Sequence, residues 1–139
     1  MSEQMKYPGV GSGVWIRKEG KVLLGKRIGN AGGGSWCPPG GKIEMYEDLI
    51  ENACRETREE TGLEIRNVQF STFASNPMKE IGKHYVTLYF IADWKSGEAK
   101  VMEPEKCEEW GWFSWDMLPS PLFQPTRIFV EKGYNPFKF

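Results

Sequence analysis

The stretch that decides the fold runs from Gly41 to Leu63 and reads GKIEMYEDLIENACRETREETGL. It contains six glutamates, one aspartate and three basic residues. Its second half has the spacing of an amphipathic helix, because the less polar side chains recur on one side at about 100° per residue. The residues on that side are Leu49, Ile50, Ala53, Cys54, Thr57 and Thr61. We therefore predict a helix from about Tyr46 to Thr61 that stops at Gly62.

Three glutamates of this helix stand at positions i, i+3 and i+4, which places their side chains on one face. They are Glu56, Glu59 and Glu60. Like charges so close together repel, and a bound cation would relieve that repulsion. Carboxylate oxygens suit Mg²⁺ or Mn²⁺ better than zinc. The alternative is a solvated helix face whose glutamates pair with Arg55 and Arg58.

The whole string, and not only the glutamates, has a recognisable spacing. The intervals are Gly, five residues, Glu, seven residues, Arg-Glu, two residues, Glu-Glu, one residue, Gly, which resembles the Nudix box. The matching positions are Gly41, Glu47, Arg55, Glu56, Glu59, Glu60 and Gly62. One position departs from the family pattern: an aliphatic residue usually follows Arg-Glu, and this chain has Thr57, whose methyl group can still face the core.

The resemblance implies a metal-dependent hydrolase of phosphoanhydrides. It implies that Mg²⁺, or Mn²⁺, is held by the Gly41 carbonyl and by Glu56, Glu59 and Glu60. Either Glu59 or a glutamate from a later loop would take the proton from the attacking water, and the loop candidates are Glu103 and Glu105, which the sequence does not separate. The other two box side chains have supporting roles: Arg55 would fix the carboxylates in place, and Glu47 would support the metal ligands from behind or be an outer ligand of the metal.

The composition predicts one domain that covers residues 1–139, with enough apolar content for a core. A net charge of −1 and the lack of a basic run argue against a nucleic-acid partner. No apolar stretch is long enough for a signal peptide or a membrane span. The three cysteines form no CxxC pair, so we expect reduced thiols in a cytoplasmic protein.

The segments around the box read as a mixed α/β chain. Val14 to Ile16 and Val22 to Leu24 flank a turn and predict a hairpin. Leu63 to Phe73 and Trp110 to Trp115 read as strands, and His84 to Ala92 reads as a central strand because it is apolar on both faces. A closing helix is predicted near Pro121 to Lys132, with Leu122, Ile128 and Phe129 facing the core. Together these elements predict a mixed sheet packed between helices, which the resemblance sharpens to the Nudix α/β/α sandwich.

Stretches outside the box resemble the small MutT-type nucleotide diphosphatases: PGVGSGV, VLLGKR, HYVTLYF, EPEKCEEWGWFSW and GYNPF. That resemblance implies cleavage of a nucleoside triphosphate to a monophosphate and pyrophosphate. Arg27 is well placed to grip phosphate. The expected base pocket contains Trp36, Thr87 and Phe123. The alternative is that these are plain core residues. Two further pocket positions depart from the animal proteins: Cys37 replaces a polar amide and Gln124 replaces an aromatic, which puts a preference for oxidised guanine in doubt.

Two other functions stay open at this point. One is hydrolysis of a nucleotide sugar such as ADP-ribose, for which the family often has a proline about fifteen residues after the box; Pro77 lies one residue before that position. The other is a non-catalytic nucleotide sensor, which loss of box glutamates would signal. The expected partner is a small nucleotide, and a homodimer is an expectation from similar proteins alone.

Overall fold

The computed structural model of the chain describes residues 5–138. Strands and helices follow one another in the mixed order that the sequence predicts. In chain order they are β1 (Gly9–Lys18), β2 (Lys21–Arg27), β3 (Trp36–Cys37), α1 (Leu49–Thr61), β4 (Glu64–Met78), β5 (Lys83–Ser96), β6 (Cys107–Ser114) and α2 (Gln124–Glu131). Single 3₁₀ turns, Lys79–Ile81 and Trp115–Met117, follow β4 and β6.

The six strands form one mixed sheet. The order is β3-β2-β1-β5-β4, and β6 pairs with β2. β1 and β5 are parallel, whereas the other strand pairs are antiparallel. The predicted mixed sheet is therefore confirmed, and β5 lies inside the sheet as expected. No helix within residues 5–138 has the length and hydropathy that a membrane span requires.

The predicted hairpin is present, with Arg17 opposite Val22. Beyond this point β1 and β2 diverge, and residues 38–41, the Pro-Gly segment, lie between them. Its backbone continues the ladder of β1, because Ser12 N donates to Gly41 O at 2.8 Å and Val14 N donates to Pro39 O at 2.7 Å. A side chain at Gly40 would overlap the backbone oxygen of Ser12. Only glycine permits this close approach, which brings the segment next to α1.

The box helix begins later than the sequence predicted. Tyr46 has φ of 68°, a left-handed conformation that no helix can continue, and Asp48 caps the helix by accepting from Ile50 N at 3.0 Å. The predicted end is confirmed, since Gly62 has φ of 79° and its N–H bonds to Arg58 O. The helix therefore starts at Leu49, three residues after the predicted position.

The buried face of α1 also differs from the predicted one. Asn52, Ala53, Thr57 and Thr61 are buried, whereas Leu49 and Ile50 are 40% and 49% exposed. Those two residues lie in the first turn, and neither belongs to an apolar core of the sheet. Thr57, the departure from the Nudix pattern, is fully buried as expected.

An apolar core lies on each face of the sheet. The core on the α1 side consists of Val14, Ile16, Leu23, Ala53, Leu63, Ile65, Phe90 and Ala92. The core on the α2 side consists of Trp15, Val22, Leu24, Ala74, Tyr89, Ile91 and Phe129. Alternate residues of β5 contribute to the two cores, as its sequence pattern predicts.

The closing helix is shorter than predicted. It begins at Gln124, and the residues from Pro121 to Phe123 precede it. Phe129 is buried and Leu122 packs against the same core, as predicted, whereas Ile128 is only partly buried and lies outside both cores. Three strands are longer than predicted: β4 continues to Met78, β5 continues to Ser96, and β6 begins at Cys107.

Candidate active site

A cleft of about 540 Å³ opens where α1, the Pro-Gly segment and the sheet meet. Side chains from β2, β5 and both helices reach it, and most of the residues predicted from the sequence are among its lining. Those residues are Arg27, Cys37, Gly41, Glu56, Glu60, Thr87, Glu103 and Phe123. The cleft therefore combines acidic groups on the α1 side with basic and aromatic groups elsewhere.

Glu60 is the most strongly perturbed carboxyl group of this cleft. Burial raises its pKa to about 8, and the nearby negative charges of Glu56 and Glu103 act in the same direction. The backbone nitrogen of Gly40 donates to Glu60 Oε2 at 3.3 Å, which opposes the shift without cancelling it. An acidic group in such surroundings ionises readily only when a cation accompanies it.

Glu56 lies beside the first glycine of the box. Its side chain is only 14% exposed, and burial raises its pKa. A Cβ atom at Gly41 would overlap the Glu56 carboxylate. Glycine at this position therefore lets a backbone carbonyl and a carboxylate come together, two oxygen groups that a hard cation can share.

Arg55 fixes three carboxylates around one guanidinium. Its Nε and Nη2 donate to Glu47 at 2.6 and 3.0 Å, and its Nη1 lies 3.0 Å from both Glu56 Oε1 and Glu59 Oε2. The hydrogen bonds from Arg55 hold the pKa of Glu47 down at about 2. Asn52 Nδ2 adds a further hydrogen bond to Glu47 at 3.0 Å. The geometry matches the predicted positioning role of Arg55.

Only some of the predicted metal ligands line the cleft. Glu59 is 51% exposed, points to Arg55 and is not part of the cleft lining, whereas Glu56, Glu60 and Gly41 are. Within residues 5–138, no three His, Cys, Asp or Glu side chains are close enough as they stand to enclose an ion. The described geometry therefore brings together part of the predicted ligand set and leaves Glu59 beside it.

The chemistry of the residues nevertheless fits a divalent cation. The acidic side of the cleft offers only oxygen donors, namely two poorly solvated carboxyl groups and the carbonyl that Gly41 exposes by lacking a side chain. Mg²⁺ and Mn²⁺ prefer such donors. A cation there would also offset the cost of ionising Glu60 and Glu56 side by side.

The loop before β6 distinguishes the two candidate loop glutamates. Glu103 lines the cleft, its side chain is 29% exposed, and its charge acts on both Glu56 and Glu60. Glu105 is exposed and is not part of the lining. The loop is tied to α1 by the hydrogen bond from Lys100 N to Thr61 O at 2.9 Å. This arrangement favours Glu103, which the sequence could not separate from Glu105.

Basic side chains border the same cleft. Arg27 is held by a 2.9 Å hydrogen bond from Nε to Ala31 O and stacks on Phe123, with 3.8 Å between its Cζ and the ring centroid. Its Nη1 lies 3.5 Å from Cys37 Sγ, and burial raises the pKa of that thiol. Lys26 and Lys106 also line the cleft. An anionic ligand would meet several positive charges here.

Two predicted substrate-binding residues lie outside the cleft. Trp36 packs edge-on against Phe113 at 5.2 Å and supports the α2-side core, because its side chain falls on the face of β3 that is turned to that core. Gln124 is exposed at the first position of α2, and Pro125 and Thr126 of the same turn line the cleft in its place. The core alternative that the sequence left open is therefore the better description of Trp36.

Several polar and aromatic groups of the lining were not predicted from the sequence, among them Asn76, Tyr85, Tyr89 and Trp110. Tyr85 and Tyr89 share a face of β5 with Thr87, so the alternation of HYVTLYF could have identified them. Each ring lies over a glycine of β1: Cβ atoms at Gly9 and Gly13 would come within 2.7 Å of Tyr85 and Tyr89. Nothing comparable in the sequence indicates Asn76 or Trp110.

Residues 7–132 match the family model of the NUDIX domain. The chain belongs to the Nudix family. A solved structure with a similar fold is the MutT NUDIX hydrolase from Burkholderia pseudomallei, with a TM-score of 0.86 and 36% identity, over 92% of this chain and 99% of that one. The Nudix α/β/α sandwich predicted from the sequence is thus confirmed. The Nudix family, and this chain with it, consists of phosphoanhydride hydrolases that use divalent cations and act on small nucleotides.

Curated Nudix relatives carry more than one kind of name. An ADP-ribose pyrophosphatase of Methanocaldococcus jannaschii is 33% identical over 125 residues, which cover 90% of this chain and 73% of that protein. The NAD-capped RNA hydrolase NudC of Chromobacterium violaceum is 32% identical over 126 residues, but this chain spans only 45% of its length. The two relatives are therefore named for different substrates.

Proposed function

We propose that the protein hydrolyses nucleoside triphosphates to the monophosphate and pyrophosphate in a reaction that requires Mg²⁺, with Mn²⁺ as a substitute. The observation that carries the proposal is the pair of partly buried carboxyl groups, Glu56 and Glu60, beside the bare carbonyl of Gly41 in a cleft bordered by basic side chains. Acidic groups that need a cation and basic groups that need an anion together suit a metal-bound polyphosphate.

The metal would be held by Glu56, Glu60 and the Gly41 carbonyl, with Glu59 as a further ligand that Arg55 holds beside them. When bound, Mg²⁺ neutralises phosphate oxygens and lowers the pKa of a water molecule. Arg55 keeps the carboxylates apart and oriented through its hydrogen bonds to Glu47, Glu56 and Glu59.

Other side chains of the cleft would bind the substrate and move the proton. Glu103 would accept the proton of the attacking water, because it is the loop glutamate that reaches the cleft. Arg27, braced by its bond to Ala31 O and by stacking on Phe123, would donate to phosphate oxygens at two points. Thr87 and Phe123 would line the base pocket with Cys37.

Hydrolysis of ADP-ribose is a second candidate, favoured by the name of the relative from Methanocaldococcus jannaschii. Both reactions break a phosphoanhydride and would use the same acidic side of the cleft. Pro77, the residue near the family's ADP-ribose position, lies on β4 opposite His84 and is exposed, and it is not part of the cleft lining. The retained box glutamates favour either enzyme over a nucleotide sensor.

A product assay separates these functions. Purified protein is incubated with dCTP, dGTP, its 8-oxo form, UTP and ADP-ribose, with MgCl₂ or with EDTA, and the products are resolved by ion exchange. We expect monophosphate and pyrophosphate from at least one triphosphate in MgCl₂ only. AMP and ribose 5-phosphate from ADP-ribose, with intact triphosphates, would establish the second candidate, and binding without any product would indicate a sensor.

A further inference from the structure

Asn52 is a fully buried polar residue of α1 to which the proposed reaction gives no role. The residue is 0% exposed, and its Nδ2 donates to Lys42 O at 2.9 Å and to Glu47 Oε1 at 3.0 Å. Asn52 Oδ1 has no hydrogen-bond partner among the described residues, and a buried oxygen left unpaired costs stability. The two donor bonds, and not the packing, therefore distinguish asparagine from an apolar residue at this position. Both acceptors belong to the loop before α1, residues 42–48.

The first acceptor fixes the backbone beside the carbonyl that is expected to bind the metal. Lys42 directly follows Gly41, whose own carbonyl oxygen accepts from Ser12 N of β1 at 2.8 Å. Gly41 is thus held on the β1 side by its own carbonyl and on the α1 side, through the next carbonyl, by Asn52. A Cβ atom at Gly41 would overlap the Glu56 carboxylate. These two bonds therefore set the spacing between the Gly41 carbonyl and Glu56.

The second acceptor anchors the guanidinium that holds the other carboxylates. Glu47 Oε1 accepts from Asn52 Nδ2 and from Arg55 Nη2, both at 3.0 Å, and Glu47 Oε2 accepts from Arg55 Nε at 2.6 Å. The same guanidinium lies 3.0 Å from Glu56 Oε1 and from Glu59 Oε2. A shift of Glu47 would therefore move Arg55 and, with it, the carboxylates beside the cleft.

The alternative is that Asn52 only stabilises the fold. Each of its acceptors also has a second donor, because Arg55 Nη2 lies 3.2 Å from Lys42 O and 3.0 Å from Glu47 Oε1. Loss of the Asn52 amide would leave neither acceptor buried without a partner, so the fold should tolerate the loss. What would be lost is the fixed distance between α1 and the loop before it. The two roles therefore differ in their effect on metal binding.

We infer that Asn52 is a positioning residue for the divalent cation, because its amide holds the Gly41 carbonyl and the carboxylates bonded to Arg55 in one arrangement of oxygen donors. This inference rests on the proposed function for the location of the cation. Loss of a side chain that orients metal ligands typically weakens metal binding by roughly 10–100-fold. The affinity for the cation, and not the stability of the fold, should therefore depend on Asn52.

The test measures the binding of Mn²⁺ alone, without a nucleotide. Metal-free protein is titrated with MnCl₂, and free Mn²⁺ is followed by electron paramagnetic resonance for the wild type, Asn52→Leu, Asn52→Ala and two controls. Glu60→Gln removes a proposed ligand and should abolish the binding, which assigns the signal to the cleft. Thr61→Val alters an equally buried residue of α1 whose hydroxyl bonds Thr57 and Leu63 instead of the loop before the helix.

The two Asn52 variants then decide the role of the residue. We expect each to raise the Mn²⁺ dissociation constant at least about tenfold, whereas Thr61→Val should leave it within about twofold of the wild type. Urea unfolding of the same samples in EDTA identifies the variants that are folded. Should Asn52→Leu fail to fold, Asn52→Ala decides, because alanine needs no additional space and favours a helix.

Four results would overturn the inference. They are a smaller rise in either folded Asn52 variant, an equal rise in Thr61→Val, undiminished binding in Glu60→Gln, and a wild type that does not bind Mn²⁺. No bond is cleaved in this measurement. Weaker Mn²⁺ binding by the Asn52 variants, together with triphosphates that the wild type leaves intact, would therefore contradict only the proposed function.

Discussion

The backbone nitrogen of Gly40 lies 3.3 Å from Glu60 Oε2, although twenty positions separate the two residues. The contact exists because the Pro-Gly segment is inserted beside β1, and the insertion in turn requires glycine at position 40. The end of α1 and the segment before it are therefore one structural unit. This unit presents the carboxyl groups of Glu56 and Glu60 to the cleft.

The two glutamates of the loop before β6 should differ sharply in importance. Glu103 lines the cleft near Glu60, whereas Glu105 is exposed outside it. We expect Glu103→Gln to lower kcat about 100-fold, the usual effect of removing a general base, and Glu105→Gln to change it less than twofold. Steady-state kinetics of both variants under saturating MgCl₂ checks this. The reverse order of effects would move the base to Glu105.

Arg55 should act on the metal through the carboxylates that it holds. Lysine keeps the charge but cannot bond Glu47, Glu56 and Glu59 at once, so we expect Arg55→Lys to raise the Mg²⁺ concentration for half-maximal activity about tenfold. The control is Arg58→Lys, because Arg58 forms an exposed ion pair with Glu64, with 3.4 Å between Arg58 Nη1 and Glu64 Oε2. An Mg²⁺ titration that is the same for Arg55→Lys and the wild type would refute the positioning role.

The metal-free protein should lose stability as the pH rises from 5.5 to 8.5. The pKa of Glu60 is raised from 4.5 to about 8, so between these values the folded protein binds more protons than the unfolded chain. The free energy of unfolding therefore falls with rising pH, by on the order of 1–3 kcal/mol. Urea unfolding in EDTA measures it.

Glu60→Gln is the control for this pH dependence, because glutamine does not titrate. Burial raises the pKa values of the Cys37 and Cys54 thiols above 9.0, beyond the window, and the pKa of Glu47 is lowered below it. We expect the variant to show a flatter profile between pH 5.5 and 8.5, and the raised pKa of Glu56 accounts for the slope that remains. Equal slopes for the variant and the wild type would remove Glu60 as the cause.

Thr57 and Thr61 are both fully buried in α1 and should respond oppositely to valine. Thr57 Oγ1 has no hydrogen-bond partner among the described residues, whereas Thr61 Oγ1 donates to Thr57 O at 2.6 Å and accepts from Leu63 N at 3.1 Å. We expect Thr57→Val to raise the free energy of unfolding by about 1 kcal/mol and Thr61→Val to lower it by about 1–2 kcal/mol. Urea unfolding of both variants with unchanged kcat checks this; a loss of stability in Thr57→Val would show that the hydroxyl is satisfied.

The sequence predicted most of the fold because the decisive signals are local. The hairpin, the alternation of β5 and the end of α1 at Gly62 depend on neighbouring residues, and each is confirmed. The start of α1 could not be predicted because it depends on the left-handed conformation of Tyr46 and on Asp48 as the cap. Periodicity continues through such residues without marking the boundary.

The site was predicted less completely than the fold, because the residues that line the cleft come from segments that are distant in the chain. The box spacing placed Glu56 and Glu60 correctly beside the cleft, but only three-dimensional packing separates Glu103 from Glu105 and directs Trp36 to the core. Asn76 has no local signal, since only the strand pairing that places it opposite Tyr85 brings it to the cleft.

The most direct test of the account is the rate of pyrophosphate release from a nucleoside triphosphate by EDTA-treated protein as MgCl₂ is added. We predict no release without Mg²⁺ and a saturable increase with it in the wild type and in Glu51→Gln, whose side chain is exposed on the same helix. Glu60→Gln should retain its fold and lose roughly 1,000-fold or more in rate. Release that is unaffected by EDTA, or normal release by Glu60→Gln, would contradict the claim that these carboxylates hold the metal for phosphoanhydride cleavage.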